Sequence, residues 1–412
     1  MNTSTGKMPE LLLPAGTLEK GLTGFVYGAD SVYAAGQLFG LRAFAGNLSD
    51  QDMQVLLQTA QEKGKKIYIT VNILAHNNDI ELMPAYLEKL ASLPVDGLIV
   101  SDLGVISLAS KYARDLPITV STQASVTNYA AAAQYKELGA QRIVLARELS
   151  LEEIRKIKEK VDIELEIFVH GAMCVSYSGR CLLSHYMTGR DANRGACAQP
   201  CRYKYFLQEE KRPGEFFPLA EDERGTYIMN SRDLCLLQYL PALIEAGVDA
   251  LKIEGRMKSP LYVAMTGRVY RQALDSYQRM RRPFTEEQLQ EWLQELSGVA
   301  TRDFTAGFIS GEKTDLQELN RSSKAQTFEF CGIVRDYDAD QQRLIIEQRY
   351  NFGIGDQLEL LLPEDIIPVQ PTAIYDETGA SIDRARHPQQ IVALPWNRPY
   401  RIGALLRRVC SY

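Results

Sequence analysis

The stretch ELLLPAGTLEKGLTGFVYGADSVYAAG, residues 10–36, contains two apolar runs separated by a segment with helical periodicity. The runs at 10–16 and 31–36 are apolar almost throughout, which is typical of strands buried on both faces of a parallel sheet. The amphipathic segment between them predicts a helix that packs on that sheet. The stretch therefore predicts a strand-helix-strand unit, from which α/β folds are built.

The same alternation continues along the chain and predicts six further strands. They are KKIYITVN (65–72), GLIVSD (97–102), ITVSTQ (118–123), RIVLAR (142–147), ELEIFVHG (164–171) and ALKIEGR (250–256). Segments with helical periodicity fill most of the gaps, so the predicted fold class is α/β, a (β/α)8 TIM-like barrel. A doubly wound open sheet is the alternative, but the first strand-helix turn lacks the G-x-G-x-x-G pattern of dinucleotide-binding folds.

The chain is predicted to contain two domains joined by a linker. The barrel is expected at 1–300, with a long Cys-rich insertion at 171–230 after strand seven, and the linker at 301–325. Residues 326–412 contain short strands divided by Gly, Asp and Pro turns, which predicts a small β-barrel domain. Its basic ending, RPYRIGALLRRV, suggests an RNA contact, and a cap on the larger barrel is the alternative role.

Composition excludes several classes of protein. The 412 residues are 45% hydrophobic, with 46 basic and 52 acidic side chains and a net charge of -6, so any polyanion site must be a local patch. The start lacks the features of a signal peptide, and no apolar run is long enough to span a membrane. A cytoplasmic location without a membrane partner is expected. Clustered cysteines in that reducing compartment indicate metal or redox chemistry more than disulfides.

Polar residues end most of the predicted strands. In a barrel, the carboxyl ends of the strands meet at one mouth, so these side chains are expected to converge there. Any one of them could equally have a structural role, because polar residues return wherever a strand ends. They are Asn72, Asp102, Gln123, Arg147, Glu148, His170, Glu254 and Arg256.

Four of the seven cysteines cluster after the seventh strand, at Cys174, Cys181, Cys197 and Cys201. Four thiolates can hold zinc or an iron-sulfur cluster, and the spacing alone does not choose between them. Buried apolar thiols are the structural alternative, although burial does not explain the clustering. Cys235 lies near the end of the same excursion and is the possible substitute for a fourth ligand.

The cysteine segment is also basic and rich in tyrosine. Residues 174–212 contain seven Lys and Arg against three Asp and Glu. Rings can stack on bases while cations hold phosphate, which favours RNA over a merely solvated loop. Arg202, Tyr203 and Lys204, directly after Cys201, are the candidate RNA-binding residues.

Three motifs resemble a known family. HGAMCVSYSGRCLLSHYMTGR (170–190), RGACAQPCRY (194–203) and LKIEGRMKSPLYVA (251–264) are similar to collagenase-like peptidase family thirty-two of the unassigned class. Within it, the arrangement is most similar to the bacterial proteins of tRNA uridine hydroxylation. The resemblance implies an iron-sulfur-dependent hydroxylase that forms 5-hydroxyuridine at the wobble position of tRNA, with prephenate as co-substrate and hydroxyl source.

The resemblance also implies a set of site residues. A [4Fe-4S] cluster would be held by Cys174, Cys181, Cys197 and Cys201, of which the last is the least certain. The catalytic candidates are taken instead from the strand ends, where they would bind carboxylates of the co-substrate or move protons: His170, Arg147, Glu254 and Arg256. The expected partners are tRNA, a small carboxylate co-substrate and a homologous partner subunit.

Two other functions remain open at this point. The family name suggests a cysteine- or metal-dependent peptidase, with His170 or His185 serving a nearby cysteine. The chain has no H-E-x-x-H or G-x-S-x-G motif, however, and one nucleophile does not require four clustered thiols. A non-catalytic RNA-binding iron-sulfur protein is the third hypothesis.

Overall fold

A closed barrel of parallel strands forms the larger part of the molecule. The computed structural model describes residues 7–40, 47–173, 181, 183–190, 192, 197–202, 206–207, 217–218, 231–311 and 324–410. Up to residue 311 its strands are β1 (Glu10–Ala15), β2 (Ser31–Ala34), β3 (Lys66–Val71), β4 (Gly97–Val100), β5 (Ile118–Val120), β6 (Ala140–Val144), β7 (Glu164–Ala172), β8 (Phe206–Leu207), β9 (Phe217–Pro218), β10 (Asp233–Cys235), β11 (Ala250–Ile253) and β12 (Phe304–Thr305). Strands β1 to β7 are parallel neighbours, and β11 pairs with both β7 and β1. This closure confirms the predicted eight-stranded barrel.

Helices connect the barrel strands and begin at residues that cap them. They are α1 (Leu18–Val26), α2 (Asp50–Lys63), α3 (Asn77–Ala91), α4 (Leu103–Tyr112), α5 (Tyr129–Glu137), α6 (Leu151–Lys160), α7 (Leu183–Thr188), α8 (Leu240–Glu245), α9 (Pro260–Met280) and α10 (Glu286–Val299). The side chains of Thr17, Ser49 and Ser150 accept hydrogen bonds from N–H groups in the first turn of their helices. These N–H groups have no acceptor within the helix. None of the described helices is long and apolar enough to cross a membrane.

The inside of the barrel is partly apolar and partly charged. Leu12, Tyr33, Tyr68 and Ile99 form a buried cluster of their own, separate from the core between strands and helices. Beside this cluster, ion pairs link four charged residues of β1, β6, β7 and β11 in the order Glu10, Arg142, Glu166 and Lys252. Barrels of this type usually fill their interior with bulky apolar side chains, so the charged column is a distinctive feature.

The segment after β7 carries the predicted Cys-rich insertion. It contains α7, the antiparallel pair β8 and β9, and then β10, which runs antiparallel to the end of β7. Strand β12 pairs with β10 through Asp233 and Phe304. The barrel sheet therefore extends into residues that the sequence analysis assigned to a linker at 301–325, because β10 offers an open edge for pairing.

The C-terminal domain is an antiparallel sheet with its own apolar core. Its eight-stranded sheet has the order β17-β16-β22-β13-β14-β21-β18-β19, and β15 pairs with β20. This agrees with the predicted β-rich class of the domain. Its strands are β13 (Phe328–Asp338), β14 (Arg343–Gln348), β15 (Phe352–Gly353), β16 (Leu358–Leu361), β17 (Ile366–Val369), β18 (Ile374–Tyr375), β19 (Ser381–Ile382), β20 (Arg384–Ala385), β21 (Ile391–Pro395) and β22 (Leu405–Val409).

The two domains share buried contacts on the outside of the barrel. The Tyr27 hydroxyl donates to the Leu361 carbonyl at 2.6 Å and accepts from the Leu405 N–H at 3.0 Å. The buried Arg407 guanidinium pairs with Glu295 of α10 at 3.1 Å. Apolar residues of the C-terminal domain, Leu361 and Leu405 among them, belong to the core cluster of the barrel. The C-terminal domain therefore packs firmly against the barrel.

Candidate functional site at the barrel mouth

A cavity of about 160 Å³ lies at the carboxyl ends of the barrel strands. Its floor and walls come from strand residues such as Tyr33, Asn72 and Phe168, and its cover comes from the segment after β7. Asn72 donates to Ser121 Oγ at 3.2 Å and to Gln123 Oε1 at 3.3 Å, which fixes a polar corner of the cavity. The location is the one where barrel enzymes carry their active sites.

Three of the four catalytic candidates line this cavity. They are Arg147, Glu254 and Arg256. The Arg147 guanidinium lies 3.9 Å from the centre of the Phe168 ring, a cation-π contact that orients it. Glu254 accepts from the Tyr33 hydroxyl at 3.3 Å, and Arg256 donates to the Asn47 side chain at 2.8 Å. The strand ends thus bring two guanidinium groups and one carboxylate to one space.

Three of the four predicted cluster ligands line the same cavity. Cys201 is buried, and Cys181 and Cys197 are half-buried. Cys174 lies outside the described residues. Thiols are suitable ligands for an iron-sulfur cluster, so the donor chemistry fits. Among the described residues no three Cys, His, Asp or Glu side chains are close enough together to hold a metal ion, and the four-cysteine ligand set stays a prediction.

Cys235, the possible substitute ligand, is not part of the cavity lining. It lies in β10, and its Sγ is 3.8 Å from the Tyr270 hydroxyl on α9. Burial raises the pKa of the Cys235 thiol to about 11, which disfavours the thiolate needed for metal binding. The geometry therefore favours Cys201 over Cys235.

The structure does not bring His170 into the cavity. Lys252 of β11 pairs with Phe168 and the next residue, Ile253, pairs with His170, so Val169 is an extra residue in β7. Such a bulge shifts the alternation of side chains by one position. Phe168 consequently lines the cavity, while His170 points to the opposite face of the strand.

On that face, His170 is enclosed by aromatic rings. Its ring centre lies 5.9, 5.6 and 5.3 Å from those of Tyr262, Tyr270 and Phe304. Burial lowers the pKa of His170 from 6.5 to about 4, so the imidazole is neutral near pH 7. These contacts indicate a packing role for His170 instead of contact with a ligand in the cavity.

Sequence reasoning missed one charged residue of the cavity, Lys252. Its Nζ donates to Glu166 Oε1 at 2.6 Å and lies 4.4 Å from the centre of the Tyr33 ring. Burial lowers the pKa of this ammonium, and the Glu166 carboxylate opposes the shift. One signal was present: Lys252 precedes Glu254 by two positions, which places both side chains on the same face of an extended chain.

A second, basic cavity adjoins the first. The two share Ala172, Gln199 and Glu254, and the second is also lined by Lys258 and Arg302. Of the predicted RNA-binding residues, Tyr203 and Lys204 lie outside the described residues, as does the side chain of Arg202. The backbone of Arg202 ends a short 3-10 helix directly after Cys201.

Comparison with known families gives two matches along the chain. Residues 16–318 match the model described as Peptidase family U32. Residues 326–407 match the model described as Peptidase family U32 C-terminal domain. The two matches cover the barrel from α1 onward and most of the C-terminal sheet.

Individual relatives carry two kinds of name. The chain is 41% identical over 404 residues to tRNA hydroxylation protein P1 of Bacillus subtilis, a match that covers 98% of this chain and 95% of the relative. It is 38% identical over 402 residues to tRNA hydroxylation protein P of Escherichia coli, with 86% of each covered. A protein named collagenase, from Porphyromonas gingivalis, is 32% identical over 318 residues, with 74% of each chain covered.

Proposed function

The chain belongs to peptidase family U32, and on that premise we propose that it is an RNA hydroxylase that forms 5-hydroxyuridine at the wobble position of tRNA. The names of its relatives support RNA hydroxylation. The observation that carries the proposal is the barrel-mouth cavity, where Cys181, Cys197 and Cys201 lie with Arg147 and Arg256. A redox-active cofactor and an anionic co-substrate would both find suitable groups there.

The proposed cofactor is a [4Fe-4S] cluster held by Cys174, Cys181, Cys197 and Cys201. When bound, such a cluster supplies one-electron redox chemistry. The protein contributes a partly closed pocket for it, because Cys201 is buried and the other two described thiols are half-buried. Partial burial of this kind limits access of water to the ligands.

The proposed co-substrate is prephenate, whose carboxylates match the guanidinium groups of the cavity. Arg147 and Arg256 can each bind a carboxylate through two parallel N–H donors. The Arg147 guanidinium is held by its contact with Phe168, and Arg256 by Asn47. Glu254 is the cavity carboxylate that can accept a proton, and Tyr33 orients it by a hydrogen bond.

A uridine must leave its stack to reach this cavity, which requires contacts to its phosphates and base. Arg202, Tyr203 and Lys204 follow Cys201 in the chain, and the adjoining cavity presents Lys258 and Arg302. These residues are the proposed tRNA contacts nearest to the chemistry. A homologous partner subunit remains part of the proposal as a further source of contacts.

The C-terminal domain is proposed to add a second tRNA contact. Deleting 326–412 would expose the barrel core against which Leu361 and Leu405 pack, so exposed arginines are the better target. Changing the exposed Arg386, Arg398 and Arg401 to glutamate should weaken tRNA binding in a gel-shift titration while leaving the cluster spectrum unchanged. Unchanged tRNA affinity would confine the domain to a structural role.

Peptide hydrolysis is the second candidate, favoured by the family name and the collagenase relative. Among the described residues that line the cavity there is no histidine to serve as base for a cysteine nucleophile. His170 points away, and His185 is exposed on α7. A non-catalytic RNA-binding iron-sulfur protein is the third candidate.

Nucleoside mass spectrometry of tRNA tests the proposal. A deletion strain without a second homologue should lose 5-hydroxyuridine and its derivatives. Wild-type protein and the Cys410→Ser variant should restore them, because Cys410 lies in the C-terminal domain, whereas Cys197→Ser should not. Full retention of these nucleosides in the deletion strain would contradict the proposal. Gelatin cleavage by purified protein would favour the peptidase.

A further inference from the structure

Lys252 forms part of the cavity lining at the level of the barrel interior. Its side chain is only 5% exposed, and its Nζ lies 2.6 Å from Glu166 Oε1, 4.4 Å from the centre of the Tyr33 ring and 5.6 Å from that of Phe168. Both Tyr33 and Lys252 line the cavity, whereas Glu166 lies behind them. The ammonium is therefore positioned where a ligand in the cavity meets the barrel floor.

The ammonium has hydrogen-bonding capacity left for a ligand. A lysine side chain carries three N–H donors, and among the described residues Glu166 supplies the one acceptor of Lys252. A nearly buried donor normally finds partners, since an unsatisfied one costs free energy. The remaining N–H groups thus favour an oxygen atom placed in the cavity.

The charge of Lys252 is only partly balanced by its neighbour. The Glu166 carboxylate also pairs with Arg142, at 3.3 Å, although Arg142 has Glu10 and Glu164 as further partners. A buried ion pair gives little net stability compared with apolar residues of similar volume, and most barrels of this kind use apolar residues here. A lysine at this position is therefore better explained by binding than by stability.

The cavity as a whole has a surplus of positive charge. Its described lining includes Arg147, Lys252 and Arg256 against one carboxylate, Glu254. We infer that Lys252 is a ligand-contacting residue that binds one carboxylate of a small dicarboxylate, while the arginines hold the second. This inference rests on the proposed function for the identity of the ligand, prephenate.

Titration calorimetry of prephenate into the full chain, purified anaerobically, tests the inference. Lys252→Met should weaken binding by about 10- to 100-fold, the equivalent of one charge-assisted hydrogen bond. The double variant Lys252→Met with Glu166→Leu removes the ion pair as a unit and avoids an unbalanced buried carboxylate. It should fold, because Arg142 keeps Glu10 and Glu164 as partners, and it should bind as weakly as the single variant.

Lys158→Met is the matched control. Lys158 pairs with Asp249 at the same 2.6 Å distance, but it lies outside the cavity lining, so prephenate affinity should be unchanged. The inference is overturned if either folded Lys252 variant binds prephenate within about three-fold of wild type, or if wild type does not bind it. Nucleoside analysis of tRNA decides separately whether the proposed hydroxylation is correct, so the two failures are distinguishable.

Discussion

Replacing Cys201 with serine is expected to remove the iron-sulfur cluster, whereas replacing Cys235 with serine is expected to preserve it. Cys201 lines the mouth cavity together with Cys181 and Cys197. The sulfur of Cys235 instead contacts the Tyr270 hydroxyl on α9, at 3.8 Å. The two cysteines therefore differ in location as well as in sequence position.

The raised pKa of Cys235 gives the free-energy cost of using this residue as a metal ligand. A metal ligand must be a thiolate, and burial raises the pKa of Cys235 from 9.0 to about 11. Forming the thiolate at this position therefore costs about 3 kcal/mol more than for an ordinary cysteine. Ligation by Cys235 would also require β10 to move, because its sulfur contacts α9 and does not line the cavity.

Iron and sulfide per chain, measured after anaerobic reconstitution, provide the assay. Wild type and Cys235→Ser should both bind about four iron atoms, and Cys201→Ser clearly fewer. Cys410→Ser serves as a control for the loss of a thiol outside the cavity. The reasoning is refuted if Cys235→Ser loses iron while Cys201→Ser retains it. One tightly bound zinc in wild type would refute the cluster itself.

Three further predictions concern the domain contact, the buried histidine and the cavity. Tyr27→Phe leaves the Leu361 carbonyl and the Leu405 N–H without their buried partner. It should lower the free energy of unfolding, measured by urea denaturation, by about 2 to 4 kcal/mol. An unchanged midpoint of the urea transition would contradict this. The pKa of His170 is about 4 in the folded state and 6.5 in the unfolded state, so on acidification the unfolded state binds the proton first. The free energy of unfolding should therefore fall by about 3 kcal/mol as the pH drops from 6.5 to 4. His170→Asn should flatten that part of the stability profile. Arg147→Lys removes the two parallel N–H donors of the planar guanidinium and should weaken prephenate binding by about 10-fold in calorimetry. Equal affinity would instead assign Arg147 to tRNA contact or packing.

The barrel could be predicted because its strands are buried on both faces and appear as apolar runs. The same rule located much of the cavity, since the carboxyl ends of parallel strands converge. Asn72, Gln123, Arg147 and Glu254 all line it. Asp102 shows the limit of the rule: it follows β4 in the same way, yet its carboxylate caps α4 by accepting from the Val105 N–H at 3.1 Å. Helix capping and ligand binding use the same residue types at strand ends.

Lys252 was missed because its partner is distant in sequence. Its spacing from Glu254 indicates which face of the chain it shares, but not whether it is buried, because a buried lysine requires a counter-ion. That counter-ion, Glu166, lies 86 positions away in β7 and becomes adjacent only when the barrel closes between β7 and β11. Pairings of this kind depend on the register of two strands, which composition and periodicity do not specify.

The placement of His170 depends on one bulged residue that the sequence pattern conceals. Plain alternation along β7 places Glu166, Phe168 and His170 on the same face, but the extra residue Val169 turns His170 outward. The bulge is stabilised from the helix layer, where the Tyr270 hydroxyl donates to the Val169 carbonyl at 2.8 Å.

Beyond the bulge, β7 approaches β11 so closely that a side chain at Gly171 would meet the Glu254 carbonyl at 2.4 Å, and the φ of +105° also favours glycine. This close approach fixes the backbone of Glu254, because its N–H donates to the His170 carbonyl at 2.9 Å. The Glu254 side chain lines the cavity. The motif in which histidine and glycine precede the first cysteine therefore serves the site through its backbone. Its histidine packs against the helix layer, its glycine allows β11 to approach, and the next two residues, Ala172 and Met173, line the cavity.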